Sequence, residues 1–509
     1  MLACVNTIAM EGVQAVPVEV EVDLSRGLPA LSVVGLADEA VREAKDRIRA
    51  ALKNSGFKLP TLHITINLAP AHLPKVGSAY DLPMALGLLA AMEQLPVTAL
   101  HRRLFLGELA LDGRLKPIAG SLPAAIYAKR AGFEEIIVPE ANGLEAAFME
   151  GVRVVAPPTL LALIHHLLGV EPLAAVPVTD WQQWVREEKT PRRNLREVKG
   201  QEYARRALEV VAAGGHNLLM SGPPGSGKTL LAQCLPGILP PMTLDEALEV
   251  TTIHSVAGRL DPVRPFVGTR PFRSPHHTAS QVALIGGGGH PRPGEVSLAH
   301  RGVLFLDEIP EFGRMALEVL REPLESGDVN ISRAALSTRF PASFQLVAAC
   351  NPCPCGYLGA AHRPCRCSAL RVEQYRSRLS GPLLDRIDLH IEVPAVPQEV
   401  LVGMPTGESS EEVMQRVVQA RARQFVRNGA GISNARLDGL ALERSTALTE
   451  EGRALLLTAG QRLGFSARSH NRILKVSRTI ADLDESDQIT AIHLSEAIQY
   501  RVGGLFAQG

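Results

Sequence analysis

The sequence predicts a multidomain α/β protein: an N-terminal α/β domain, a phosphate-loop α/β domain on a parallel sheet, and a helical C-terminal lid domain. Three observations predict it. Strand-like and helix-like segments alternate through the first 170 residues, a glycine-rich phosphate loop follows a short apolar strand near residue 220, and strand signals give way to helical periodicity beyond about residue 400.

In chain order, "LSVVGL" (31–36) and "LHITINL" (62–68) read as strands from their β-branched alternation. Between them "ADEAVREAKDRIRAALKNSG" (37–56) reads as a helix closed by a glycine cap. Residues 171–195, with prolines, alternating charges and both tryptophans but no clean period, read as a linker. The expected domains are therefore 1–170, 196–400 and 401–509, the last opening on helices such as "SEEVMQRVVQARARQFVRN" (410–428). A formal net charge of +0 over 509 residues gives no overall field toward nucleic acid or membrane, so any polyanion site must be local. The N-terminus has no basic, apolar signal pattern, and the most apolar stretch, from Leu160, is broken by His165, His166, Glu171 and prolines. The expectation is a cytoplasmic protein without a membrane span.

Chemistry concentrates after the linker. In "LLMSGPPGSGKTLLA" (218–232), Gly222, Pro223, Pro224, Gly225, Ser226, Gly227, Lys228 and Thr229 form the phosphate-loop pattern between a strand and a helix. Glycines let backbone N–H groups curl round phosphates, Lys228 reaches the outer phosphates, and Thr229 offers a hydroxyl to magnesium, so ATP and Mg2+ are the expected cofactors. "RGVLFLDEIPEF" (301–312) is an apolar strand ending in Asp307, a magnesium ligand, and Glu308, which would orient and activate the attacking water. Asn351, at the end of "SFQLVAACN", could position the same water, and Arg386, in "RLSGPLLDRIDLHIEV", could reach a neighbouring subunit's γ-phosphate if the chains form a ring. A surface ion pair with Asp385 or Asp388 is the alternative for Arg386. Arg468 falls in the first turn of a helix starting at Ser466, where a cation opposes the helix dipole unless an anion such as nucleotide lies nearby.

The ordered set of phosphate loop, "LFLDE", strand-end asparagine, "LLDRID" and "SARSHNRILKVSRTIADL" resembles the magnesium-chelatase branch of the AAA+ ATPases, and specifically the ComM/YifB family, over nearly the whole chain. That resemblance implies hexameric rings and ATP-driven branch migration of DNA during natural transformation. It makes Asn351 sensor 1, Arg386 the arginine finger and Arg468 the sensor 2 residue, with Arg472 as substitute, and brings Val198, Gly200 and Gln201 near the adenine. Residues 270–300 resemble the mobile insert that this branch projects toward the ring pore. Residues 329–341, "VNISRAALSTRFP", alternate like a hairpin, with Arg333 near the tip and Arg339 on the return strand as candidate DNA contacts, solvated loop arginines being the alternative. Residues 1–170 resemble the Lon protease-type domain with the ribosomal S5-like fold. There the serine position falls on Ala79 and the lysine position in "GSLPAA" (120–125), which has no lysine; Ser78 and Lys116 would each need a register shift, so proteolysis is not expected. The competing functions are a DNA motor, a chelatase-like subunit remodelling a partner for metal insertion, and an ATP-dependent protease.

Five of the seven cysteines lie in "CNPCPCGYLGAAHRPCRC" (350–367). Cys350 is expected to finish its strand as a buried small residue. Cys353, Cys355, Cys365 and Cys367 form two C-x-C pairs that could converge on one structural Zn2+, with His362 as a substitute ligand and free thiols or reversible disulfides as alternatives.

Overall fold

Strand Ala3–Glu11 pairs antiparallel with Gln14–Ser25, and this hairpin seeds a seven-stranded sheet in the computed structural model, which describes residues 2–178, 184, 193–289, 291–333, 336–360, 363–402 and 407–502. The strands run in the order Ala30–Val34, His63–Ala69, Gln14–Ser25, Ala3–Glu11, Arg103–Phe105, Glu135–Ile137, Arg153–Val155. In His63–Ala69 every second residue, Ile64, Ile66 and Leu68, is buried, which is the alternation the sequence carries. The expected helix spans Glu39–Asn54, with Asp38 accepting the Val41 N–H at 2.8 Å. Its cap is Ser55, and Gly56, at φ 91°, supplies the left-handed exit one residue later. Helix Asp81–Ala91 is buried on every side; its Asp81 carboxylate accepts from Arg47 Nε at 2.7 Å.

The second sheet is wholly parallel and has five strands, ordered Phe272–Arg273, Val303–Leu306, Gln345–Cys350, Leu218–Ser221, Leu389–Glu392. Being covered on both faces, its strands read as continuous apolar runs rather than alternating ones. Leu218, Met220, Val303, Phe305, Val347 and Ala349 point into one core, whereas Leu219, Leu304, Leu306, Leu346, Ala348 and Cys350 point into the other. The first of these cores continues without a break into the C-terminal helices through Val413, Val417, Ile473, Ile480 and Tyr500. Helix Ala467–Leu483 packs against Ala491–Val502, Ser410–Asn428 and Glu202–Gly214, so the lid helices rest on the helix that precedes the phosphate loop.

Most of the expected linker, residues 179–183 and 185–192, lies outside the described residues. Trp184 packs edge-on against Phe148, with ring centroids 5.2 Å apart, and Phe148 stacks on Phe266 at 4.7 Å. Together with Leu122 and Ala247 these side chains form a small core joining the first sheet's unit to the second. Beside it the buried Glu145 carboxylate accepts from Leu122 N at 3.0 Å, Asn142 Nδ2 at 3.2 Å and Ser255 Oγ at 2.5 Å.

Candidate nucleotide site

Strand Leu218–Ser221 delivers the phosphate loop to the carboxyl edge of the parallel sheet, between the strands that end at Cys350 and Glu392. This edge is where open α/β sheets bind ligands. Gly222 passes so close to its neighbour that a Cβ there would sit 2.1 Å from the Val393 carbonyl oxygen, so no side chain fits. Gly225 and Gly227 take left-handed φ values of 77° and 92° and have nothing within 4 Å of an added Cβ, leaving the concave side of the loop open. Helix Lys228–Ile238 begins directly after it and aims its N-terminus at that space.

Lys228 Nζ donates to the carbonyls of Gly222 (2.7 Å) and Pro223 (3.0 Å) and to Asn351 Oδ1 (3.4 Å). Burial holds its ammonium below the ordinary lysine range, with Asp307 acting the other way. Thr229 Oγ1 donates to Asp307 Oδ2 at 2.9 Å, so a hydroxyl and a carboxylate from two elements already converge on one point. Glu308 adopts φ 51°, a strained conformation for a residue with a Cβ, which turns its half-exposed side chain out of the strand. His277, from the insert, lies 3.8 Å from Glu308 Oε2. Sequence reasoning singled out that insert but not this histidine.

Gln201 also has a left-handed backbone, φ 60°, and its Nε2 donates to Ser226 O at 3.2 Å and Pro394 O at 2.6 Å. Val198 is buried and Gly200 packs near Val396 and Val400, so the 198–201 segment touches the phosphate loop from behind. Tyr375, which sequence reasoning missed, is buried beside Cys350 and Asn351 and burial pushes its phenol well above the usual range. Burial likewise pushes the Cys350 thiol up to about 12, as expected of a strand-end packing residue.

The distal arginines have acidic or carbonyl neighbours within the chain itself. Arg386, 9% exposed, donates to Pro382 O at 2.7 Å and to the Glu325 carboxylate, rather than to Asp385 or Asp388. Arg468 is exposed, with Asp385 3.8 Å away. Arg472 pairs instead with buried Asp388, whose Oδ2 also accepts from Asn217 N at 3.0 Å. Burial works to raise the Asp388 pKa, but Arg472 and His216 outweigh it and hold the carboxyl below the usual range.

The four cysteine sulfurs of Cys353, Cys355, Cys365 and Cys367 lie within 4.8 Å of one another. Cys353 Sγ is 3.4 Å from Cys355 Sγ and 3.6 Å from Cys365 Sγ, too far for disulfide bonding and close enough for the sulfurs to share one ion. His362 lies outside the described residues. A second grouping of Cys4, Glu19 and Glu21 is open to solvent on the first sheet.

Family models match the chain in three stretches: Subunit ChlI of Mg-chelatase over residues 20–142, Magnesium chelatase, subunit ChlI, over 194–401, and Magnesium chelatase, subunit ChlI C-terminal, over 407–501. The protein YifB of Escherichia coli (strain K12) is 46% identical over 501 residues, covering 98% of this chain and 97% of its own. The chain belongs to the YifB/ComM family. Competence protein ComM of Haemophilus influenzae is similar to the same extent, 46% over 501 residues and the same shares of each chain. Lon protease 2 of Bacillus subtilis is 24% identical over 193 residues, 34% of each chain.

This YifB/ComM chain carries both the Lon-like unit and the expected hairpin. Ser78 Oγ donates to the Glu108 carboxylate, and Lys116, on the strand paired in register with Glu108, is exposed. Lys75 is fully buried and its ammonium donates to Pro70 O, while Ala79 leads into helix Asp81–Ala91. The serine's partner is thus a carboxylate. The expected hairpin pairs Asp328–Arg333 with Leu336–Pro341, with Arg333 opposite Leu336 at its tip. Arg339 is exposed and ion-paired with Asp328. Gly12, in the turn of the N-terminal hairpin, packs against the backbone of Arg339 and the side chain of Thr338, so the first unit touches the return strand. No helix of the described residues is long and apolar enough to cross a membrane.

Proposed function

We propose that the chain is an ATP-driven, ring-forming DNA motor, a branch-migration helicase acting on recombination intermediates during natural transformation. The observation that carries the ATPase half is the convergence of Thr229 Oγ1 and Asp307 Oδ2, 2.9 Å apart, beside an open phosphate loop whose lysine is buried. A magnesium ion held by Thr229 and Asp307 would neutralise charge on the phosphates. Lys228 exchanges its loop carbonyls for phosphate oxygens, Glu308 takes a proton from water aligned with help from Asn351, and water attacks the γ-phosphorus as the β–γ bond breaks. Arg386 acts on the neighbouring subunit's nucleotide once Glu325 releases it, and Arg468 acts from the lid. Cys353, Cys355, Cys365 and Cys367 would hold a zinc ion through their four sulfurs, and the ion would supply a structural cross-link rather than catalysis.

The DNA half is supported by the relative named a competence protein and by the Arg333 and Arg339 hairpin, of which a hexamer would set six copies round a pore. The chelatase family models favour a second reading, a motor remodelling a partner for metal insertion. A strand-displacement assay on a four-way junction separates them. Wild type resolves the junction with ATP while Lys228→Ala does not. A chain that neither binds junctions nor raises its ATP turnover with DNA is not a DNA motor.

A further inference from the structure

We propose that the cysteine loop is a metal-dependent buttress for the phosphate loop, so that zinc occupancy and nucleotide binding are thermodynamically coupled. This rests on reading the chain as an ATPase and the four cysteines as a zinc site. The contact is at Gly356, one residue after Cys355. Its φ is 83°, and a Cβ there would lie 2.7 Å from Pro224 Cδ and 2.8 Å from Pro224 Cγ. The backbone of the metal loop therefore lies directly on the proline ring at the apex of the phosphate loop, with no room even for a methyl group.

The cysteine side holds this contact in place. Gly356 N donates to Cys353 O at 2.9 Å, and Cys353 is fully buried. The stem of the loop reaches the other parts of the nucleotide site. Cys350 O accepts from Gly222 N at 3.2 Å and Asn351 Oδ1 from Lys228 Nζ at 3.4 Å. The start, apex and end of the phosphate loop, Gly222, Pro224 and Lys228, thus all touch residues 350–356. Between Asn351 and Ser368 no described residue belongs to a helix or strand, so the segment lacks a hydrogen-bonded ladder to fix it. One ion shared by four thiolates removes the conformational freedom that the ladder would otherwise remove. Without it, Gly356 is free to move and the phosphate loop loses one wall.

Coupling of this kind is reciprocal: zinc tightens nucleotide by the same factor by which nucleotide tightens zinc, typically about 5–150-fold. The test uses the full chain, with ADP and magnesium as the probe so that no turnover intervenes. ADP affinity is measured by calorimetry on zinc-loaded and zinc-stripped protein, and zinc affinity is measured against a competing chelator with and without ADP. Both affinities should shift by one common factor of about fivefold or more. Pro224→Ala removes the ring atoms that Gly356 meets but no thiol; it should keep one zinc per chain and lose most of that factor. Gly356→Ala should weaken ADP binding with zinc retained. Equal ADP affinity with and without zinc, or full coupling in Pro224→Ala, overturns the proposal. A chain that binds no zinc overturns the metal reading, and one that holds zinc but no ADP overturns the ATPase reading; either removes the basis for coupling.

Discussion

Glu308 combines a left-handed backbone, a half-exposed carboxylate and a neighbouring histidine from a different segment, a costly arrangement that packing alone does not require. Glu308→Gln keeps the shape and removes the proposed base. ATP turnover should fall by about 10²–10⁴-fold while nucleotide still binds, read out by phosphate release beside a binding titration. His390 makes a different point at the same scale. Burial pushes its imidazole down to about 3 from 6.5, so it folds neutral. Between those values the unfolded chain binds the extra proton, and stability falls as pH is lowered through that window by up to about 1.4 kcal/mol per pH unit for one such group. Half-buried His254 and buried His300 shift in the same direction. Urea midpoints across pH 6.5 to 4 should decline accordingly, and His390→Asn should flatten the slope.

At the scale of elements, the lid is tied to the ATPase sheet by charge as well as by apolar packing. Asp388, at the start of strand Leu389–Glu392, meets Arg472 of helix Ala467–Leu483, while Asn217, just before the phosphate-loop strand, binds Asp388 through its N–H and Arg386 O through its side chain at 2.9 Å. Two nucleotide-sensing candidates and the phosphate-loop strand therefore meet around one buried carboxylate. Asp388→Asn leaves Arg472 without its counter-charge and should cost about 3–5 kcal/mol, measured by denaturant unfolding. Because the native carboxyl titrates below its ordinary range, its stabilisation is complete above the unfolded pKa and is lost as pH falls toward the folded one.

On the scale of the whole molecule, the two sheet units meet through the aromatic cluster of Phe148, Phe266 and Trp184 and through the Gly12 turn on the hairpin. Phe266→Ala should cost about 3–5 kcal/mol and open the junction to limited proteolysis while leaving ADP binding intact. Its retention of protease resistance would show that the aromatic cluster is not what joins the units. If six hairpins line a pore, removing one phosphate-binding arginine per subunit, as in Arg333→Ala, should lower the slope of log affinity against log salt for single strands by about 0.7 for each phosphate no longer neutralised.

The phosphate loop, the Asp307–Glu308 pair and the C-x-C pairs were legible in the sequence because their chemistry depends on residue type at short spacing, which any fold of the segment preserves. The strand alternation of His63–Ala69 and the helix within residues 37–56 were legible for the same local reason, although the C-cap is Ser55 and not the glycine that follows it. Partners distant in sequence were not. Glu325 facing Arg386, Asp388 facing Arg472, His277 facing Glu308 and Gly356 resting on Pro224 each join segments that no periodicity links. The sequence by itself thus singled out the groups proposed for phosphate, magnesium and metal chemistry. Only the tertiary structure decided which of those groups touch, because burial and ion pairing act between surfaces that meet only after the chain has packed.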